Sequence, residues 1–227
     1  MTDMRAVVLS GQGRYGDPWH PFDQTSACLA RLVRTAGLRV EVREALASDC
    51  LSGLGSVDLL VVNTGTGMSP EQPIDADPGW QQAFSGLGEW LDGGGRLLAC
   101  HTAVASLRDW AEWPQRLGGE WVRGRSGHPP LGVAGFQPVA GAAGHPFFDG
   151  LTGTPTVTVV DEKYSDLRLH PGAQPVLAHQ SGGDLQVMGW TVAANVVYDG
   201  MGHDARSYES PTRCRYLANE LRWLLSS

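Results

Sequence analysis

Short apolar runs of strand length recur along this chain, each stopped by glycine or a polar residue, with helically periodic segments between them. Residues 5–9 (RAVVL) are a β-branched run that stops at Ser10-Gly11 and reads as a buried strand. Residues 57–62 (VDLLVV) stop at Asn63-Thr64-Gly65, and residues 96–100 (RLLAC) run straight into His101. After the N-cap types Thr25-Ser26, residues Leu29, Leu32, Val33 and Ala36 fall on one helical face, closed by Gly37. Leu38, Val40 and Val42 then alternate with Arg39, Glu41 and Arg43, which predicts a strand with one wet face near a sheet edge. Trp80, Phe84, Leu87 and Leu91 repeat the helical spacing before Gly93-Gly94-Gly95. Strand, helix, strand in series predicts right-handed βαβ units and an α/β fold. Its sheet is doubly wound and mainly parallel, with helices on both faces.

Beyond His101 a helical stretch through Val104, Leu107 and Trp110 is expected, broken by Pro114 and Gly118-Gly119. Residues 124–153 are rich in glycine and proline and read as an excursion on the sheet. Strands are expected at 156–160, 186–190 and 194–198, the last two flanking Thr191-Val192-Ala193 as a hairpin. A closing helix begins at Pro211 with Ser210 as its N-cap, and Leu217, Leu221, Leu224 and Leu225 form its apolar face. A length of 227 residues suits one core, so residues 1–227 are expected to form a single domain.

Charge and composition narrow the partners. A formal net charge of -7 repels phosphate backbones, so no nucleic-acid partner is expected. No apolar run approaches the ~20 residues that cross a bilayer, so no membrane partner is expected. Residues Met1 to Arg5 lack the pattern of a secretory signal, and a cytoplasmic address is expected. Cys28, Cys50, Cys100 and Cys214 form no C-x-x-C pair and read as free thiols. Association into homo-oligomers stays open.

Gly11-Gln12-Gly13-Arg14-Tyr15-Gly16 spells a dinucleotide fingerprint directly after the first strand. The fingerprint works only if a helix starts inside it, with its N-terminus facing the pyrophosphate. Asp17-Pro18-Trp19-His20-Pro21 follows instead, and two prolines oppose a helix there. No nucleotide cofactor is expected.

In an open parallel sheet, ligands bind beyond the carboxyl ends of the strands. His20 follows the first strand. Asn63 and Thr64 end the third and His101 ends the fourth. Asp161 and Glu162 follow 156–160, and His203 and Asp204 follow 194–198. Three histidines and a carboxylate are therefore expected to face one crevice. Such a set suits zinc or a similar divalent metal, and equally suits acid/base chemistry near neutral pH. Spacing alone does not choose between them. Cys100 invites a thiol-hydrolase reading, but it lacks the flanking glycines of a nucleophile elbow, and His101 fits the apex better. His128 and His145 precede prolines in the irregular segment, where either can close over the site. Some of the eight tryptophans suit the apolar faces of sugar rings.

Together these residues resemble the ThuA-like (trehalose utilisation) family, whose scaffold is similar to the class I glutamine amidotransferase fold, a flavodoxin-like architecture with histidine in place of the catalytic cysteine. Gly93-Gly94-Gly95, the strand and His101-Thr102-Ala103 resemble the family's glycine turn and histidine elbow, although Ala99 replaces a glycine. Trp110, Leu117-Gly118-Gly119, His128, His145-Pro146 and Gly150-Leu151 follow in family order. So do Asp161-Glu162-Lys163-Tyr164, Trp190, Val197-Tyr198 and Gly202-His203-Asp204, and His20 matches a histidine after the first strand. The resemblance implies breakdown of trehalose or a related disaccharide through oxidised (keto) sugars, by a lyase, hydratase or isomerase. It implies His101, Glu162, His203 and Tyr164 as catalytic residues, and His20, His101, Glu162 and His203 as ligands of a divalent metal. Asn63, Thr64, Trp110, His128 and Asp204 are expected to bind a small carbohydrate. Two other readings remain: a non-catalytic binding module on this scaffold, and a Cys100 thiol amidohydrolase.

Overall fold

The computed structural model describes residues 4–69, 74–151 and 156–226. The first half builds the parallel part of the sheet. β1 (Arg5–Ser10), β3 (Leu59–Asn63) and β4 (Arg96–Cys100) are buried strands, and β2 (Arg39–Glu44) lies at the edge with its wet face out. α1 (Phe22–Thr35) connects β1 to β2, and α2 (Pro78–Asp92) connects β3 to β4. α3 (Trp113–Leu117) follows, then β5 (Gly119–Glu120), β6 (Gly132–Pro138), β7 (Val157–Asp161) and β8 (Arg168–Leu169). The chain continues with β9 (Ala173–Ser181), β10 (Asp184–Val192), β11 (Val196–Asp199) and α4 (Pro211–Ser226). The order across the main sheet is β2-β1-β3-β4-β11-β10-β9-β6-β7, and β5 pairs with β8 separately. The run from β2 to β11 is parallel throughout, in the order of a flavodoxin-like sheet. β10, β9, β6 and β7 extend it in antiparallel fashion.

Several boundaries differ from the sequence reading. α1 starts at Phe22, not after Thr25-Ser26. Both residues lie inside the helix and are buried, where their hydroxyls accept hydrogen bonds from the Asn63 amide at 2.9 Å. The dinucleotide-like segment holds only a short 3-10 turn, Gly13–Tyr15, so no helix N-terminus faces a phosphate site there. The expected helical stretch through Val104, Leu107 and Trp110 is only a 3-10 turn, His101–Ala105, followed by non-helical residues 106–112, and the helix comes later as α3, where Pro114 helps to start it rather than breaking it. The segment 124–153 contributes β6 to the main sheet, and β9 was not anticipated; residues 152–155 lie outside the described residues.

Other features follow the pattern. α2 is capped by Asp77, whose carboxylate accepts from the Gly79 N–H at 2.8 Å, and it buries Trp80, Phe84, Leu87 and Leu91. α4 is capped by Ser210, which accepts from the Arg213 N–H at 3.2 Å. β10 and β11 form the expected hairpin. Neighbouring residues of β11 show that helices cover both faces. Asp199 points to α4, where Arg213 pairs with it at 2.6 Å. Tyr198 points the other way, against Trp190, whose indole donates to the Leu117 carbonyl at the end of α3 at 2.7 Å. No described helix is long and apolar enough to cross a membrane.

The Arg213–Asp199 pair has no solvent exposure, and Glu220 is equally buried beside it. Burial first, then the Asp199 charge, pushes the Glu220 carboxyl well above its ordinary value, so it packs as the neutral acid. Arg213→Ala leaves Asp199 buried without its countercharge. It is expected to cost about 3–5 kcal/mol in denaturant unfolding. Exposed Arg222→Ala on the same helix should stay within about 0.5 kcal/mol. Equal losses for the two variants would show that the pair is not what secures α4.

Candidate functional site

The site is assembled at the carboxyl ends of β1, β4, β7 and β11. β4 ends with Cys100 in extended conformation, and His101 turns sharply at φ +48°, a left-handed geometry that strains a non-glycine residue. The turn is pinned from several sides. Tyr198 donates to the His101 carbonyl at 2.9 Å, Thr102 to the Thr64 carbonyl at 2.9 Å, and Ser106 to the Gly65 carbonyl at 2.7 Å. The His101 ring lies with Nδ1 2.8 Å from the Gly200 carbonyl, so that nitrogen carries the proton and donates. Nε2 then holds the lone pair and accepts from the Tyr164 hydroxyl at 2.8 Å. Burial keeps the Tyr164 hydroxyl protonated, far above the ordinary tyrosine range.

His20 is set by a carboxylate three residues earlier. Asp17 Oδ1 accepts from the backbone N–H of Trp19 at 3.0 Å and of His20 at 3.1 Å, and meets His20 Nδ1 at 2.7 Å. The other ring nitrogen, Nε2, is buried and has no hydrogen-bond partner among the described residues. Asp161 performs a similar task on the opposite side. Its carboxylate accepts from the Glu162 N–H at 2.9 Å, the Gly202 N–H at 2.8 Å and the His203 N–H at 3.2 Å. Gly202 sits at φ +128°, and a Cβ there would meet the Tyr208 hydroxyl at 2.7 Å, so the loop needs glycine at this point.

Glu162 Oε2 lies 3.5 Å from His101 Nε2 and 3.4 Å from His203 Nδ1, while Oε1 lies 3.3 Å from His128 Nδ1. His20, His101, Glu162 and His203 each offer one ligand atom, and these atoms all lie within 4.8 Å of one another. The environment drives the groups to different protonation states. Burial opposes the Glu162 carboxylate, but the neighbouring His101 and His203 imidazoles outweigh it and hold the carboxyl well below its usual range. Burial lowers the His20 pKa and neighbouring imidazoles reinforce this against Asp17, so the ring stays neutral. Burial also works against His203⁺, but Glu162 outweighs it and raises the His203 pKa.

The cluster opens into a cavity of about 580 Å³, where Trp19, Thr66, Thr102, Trp121, His128 and Tyr164 complete the wall. His128 thus joins the site. Four other expected substrate contacts do not reach this cavity. Asn63 and Thr64 are buried, the first bonded to α1 and the second to the Ser106 hydroxyl at 2.9 Å. Asp204 caps the 3-10 turn Ala205–Glu209 and is paired with Arg206. Trp110 stacks on Phe84 with centroids 5.3 Å apart and lines a neighbouring cavity. His145 packs against Phe147 and Trp223. Cys100 is fully buried and burial raises its thiol well above the ordinary range, so it does not present a thiolate.

The sequence reading overlooked the parts played by Asp17, Trp19, Thr66, Thr102 and Trp121. Asp17 had a local signal, an Asp-Pro turn start three residues before a histidine. Asp161 was placed at its strand end, but its role as acceptor for the Gly202 and His203 N–H groups had no local signal, because those partners are about forty residues away.

Comparison with known proteins agrees with this picture. A ThuA-like protein of Parabacteroides merdae superposes with a TM-score of 0.76 at 15% identity, covering 99% of this chain and 91% of that one. A ThuA-like protein of Bacteroides uniformis gives 0.75 at 15% identity, over 99% and 92%. A glutamine amidotransferase of Thermotoga maritima gives 0.62 at 11% identity, over the whole of both chains. These likenesses establish the amidotransferase-like α/β fold. No functionally curated protein matches the chain. The ThuA family, described as trehalose utilisation, matches residues 5–224, nearly the entire sequence. The chain is a member of the ThuA family, which associates it with sugar catabolism.

Proposed function

We propose that the chain is a sugar-processing enzyme of the lyase, hydratase or isomerase type that acts on an oxidised (keto) derivative of trehalose or a related saccharide. The observation that carries this reading is the convergence of three imidazoles and one carboxylate at strand ends, with His20, Glu162 and His203 lining a cavity that Trp19 and Trp121 also wall. The donor set fits a divalent cation such as zinc. His20 supports the fit directly, because its buried Nε2 has no protein partner while Nδ1 is anchored on a carboxylate. His20, His101, Glu162 and His203 would hold the ion. When bound, such a cation supplies positive charge against negative charge developing on a carbonyl oxygen.

The protein groups carry the rest of the chemistry. A ketone acidifies the neighbouring C–H bond, so a positioned base can remove that proton and leave an enediolate. Glu162 is held ionised and presents Oε1 towards His128, so this pair can accept the proton and pass it on. Tyr164, held protonated, can donate to a sugar oxygen. Expulsion of the β-substituent from the enediolate leaves an unsaturated ketone and gives a lyase, addition of water to such an unsaturated ketone gives a hydratase, and return of the proton to the other carbon gives an isomerase. The Tyr164 hydroxyl now bonded to His101 Nε2 would be released to donate to substrate if that nitrogen gave its single lone pair to a cation.

Elemental mass spectrometry of the purified protein is expected to find close to one divalent ion per chain, and less than about a tenth of that in His101→Ala and His203→Ala. A metal-free wild type, grown with added zinc, would remove the ion from this reading. In a mass-spectrometric screen of keto-glycosides, the wild type should consume at least one compound. Glu162→Gln should lower kcat by about 10²–10⁴-fold with an unchanged circular dichroism spectrum. Binding without consumption anywhere in the panel would favour a non-catalytic module. Cys100→Ser should keep full turnover, and native Cys100 should resist alkylation under conditions that modify it after unfolding. Rapid native alkylation with loss of activity would restore the thiol mechanism.

A further inference from the structure

Trp19 lines the His/Glu cavity, yet the proton transfers described above give it no part. It is 54% exposed, while the other seven tryptophans are buried or half-buried. The cavity therefore has depth. Glu162, Thr102 and Tyr164, all buried, line its floor, and Trp19 stands at its rim. Trp121, the other tryptophan of this wall, is half-buried and meets the Tyr164 ring at right angles, with centroids 4.9 Å apart. Trp19 has no ring or guanidinium contact among the described residues, so neither competes for its indole faces. The backbone beneath it is fixed. Pro18 and Pro21 flank Trp19-His20 and restrict φ on either side. Asp17 Oδ1 accepts from the Trp19 N–H at 3.0 Å and meets His20 Nδ1 at 2.7 Å. One buried carboxylate thus sets both the stem of the indole and a member of the cluster.

We infer that Trp19 is the specificity-determining platform for the second ring of a disaccharide: the reacting ring lies at the buried end beside Glu162 and Tyr164, and the outer ring stacks on the exposed indole. The inference rests on the sugar-processing reading and adds the residue that distinguishes a disaccharide from a single sugar. A pyranose has C–H faces and a rim of hydroxyls. Stacked on an exposed indole, it covers one apolar face while the rim stays in water, so no hydroxyl is left without a partner. A wholly apolar group at the same place would remain half in water and gain less. The cavity volume of about 580 Å³ falls within the ~300–1,000 Å³ of small-molecule sites and so leaves room for more than a single reacting group.

NMR titration of the full-length protein with trehalose and with methyl glucoside, neither of them a keto sugar, tests the platform. Trehalose is expected to bind about fivefold more tightly, roughly 1 kcal/mol and more than its two identical rings supply by statistics alone. The Trp19 indole N–H signal, identified as the one missing from Trp19→Phe, should move with trehalose and not with methyl glucoside. Trp19→Ala should close the gap between the two ligands to within about twofold, and Trp19→Phe, which keeps an aromatic face, should retain most of it. Trp19 is exposed, so these variants carry little folding risk. Equal affinities in the wild type, an unmoved indole signal, or a gap that persists in Trp19→Ala would overturn the platform while leaving the sugar site standing. Binding of neither saccharide would overturn the sugar-site reading and the platform with it.

Discussion

Three backbone N–H groups converge on the buried carboxylate of Asp161: those of Glu162, Gly202 and His203. Through them the end of β7 is tied to the loop after β11, although three strands separate the two in the hydrogen-bonded order of the sheet. Glu162 comes from the outermost strand and His203 from the centre, and without a shared acceptor nothing would hold them 3.4 Å apart. The rest of the molecule is arranged to permit this meeting. α4 lies against β4, β11 and β7 at once. The Thr158 carbonyl of β7 accepts from the hydroxyls of Ser210 and Thr212 where α4 begins. The antiparallel strands therefore do more than widen the sheet, because they deliver a carboxylate to a crevice that the parallel half supplies with imidazoles.

The same logic orders the imidazoles. His20 is oriented by Asp17, and His101 by the Gly200 carbonyl, each through the ring nitrogen that points away from the cluster. The nitrogens that face the cluster are thus selected by groups outside it, an arrangement fixed by the protein alone. The cost of crowding three rings together, with centroids 4.8 to 5.5 Å apart, is offset by Glu162, whose ionised form stands between two of them.

Periodicity carried much of this into view from the sequence. The buried strands β1, β3 and β4, the wet edge strand β2, and the N-cap of α4 all follow from local pattern. What escaped has local causes too. β9 contains Pro175, which has no N–H for the ladder, and the register with β10 shifts at Gly189 and Trp190 opposite it. β6 carries two glycines and ends on a proline, a composition that reads as loop until a neighbouring strand supplies its partners. Thr25 and Ser26 have the look of caps, yet they are interior residues whose hydroxyls serve Asn63. In the site, strand-end position found His20, His101, Glu162 and His203. The same rule misplaced Asn63 and Thr64, because a residue at the end of a strand can point into the layer beneath as readily as into the crevice.

The elbow at His101 has a consequence for how such scaffolds diversify. Its left-handed backbone is enforced by Tyr198, Thr102 and Ser106, none of which touches the imidazole itself to do so. The strain belongs to the main chain, and any L-residue at the apex bears it, a β-branched one most heavily. A lineage can therefore exchange the side chain there without rebuilding the turn, and related folds can display different apex chemistry on one unchanged pedestal. Descent preserves the address, while the reaction carried out at that address is free to change.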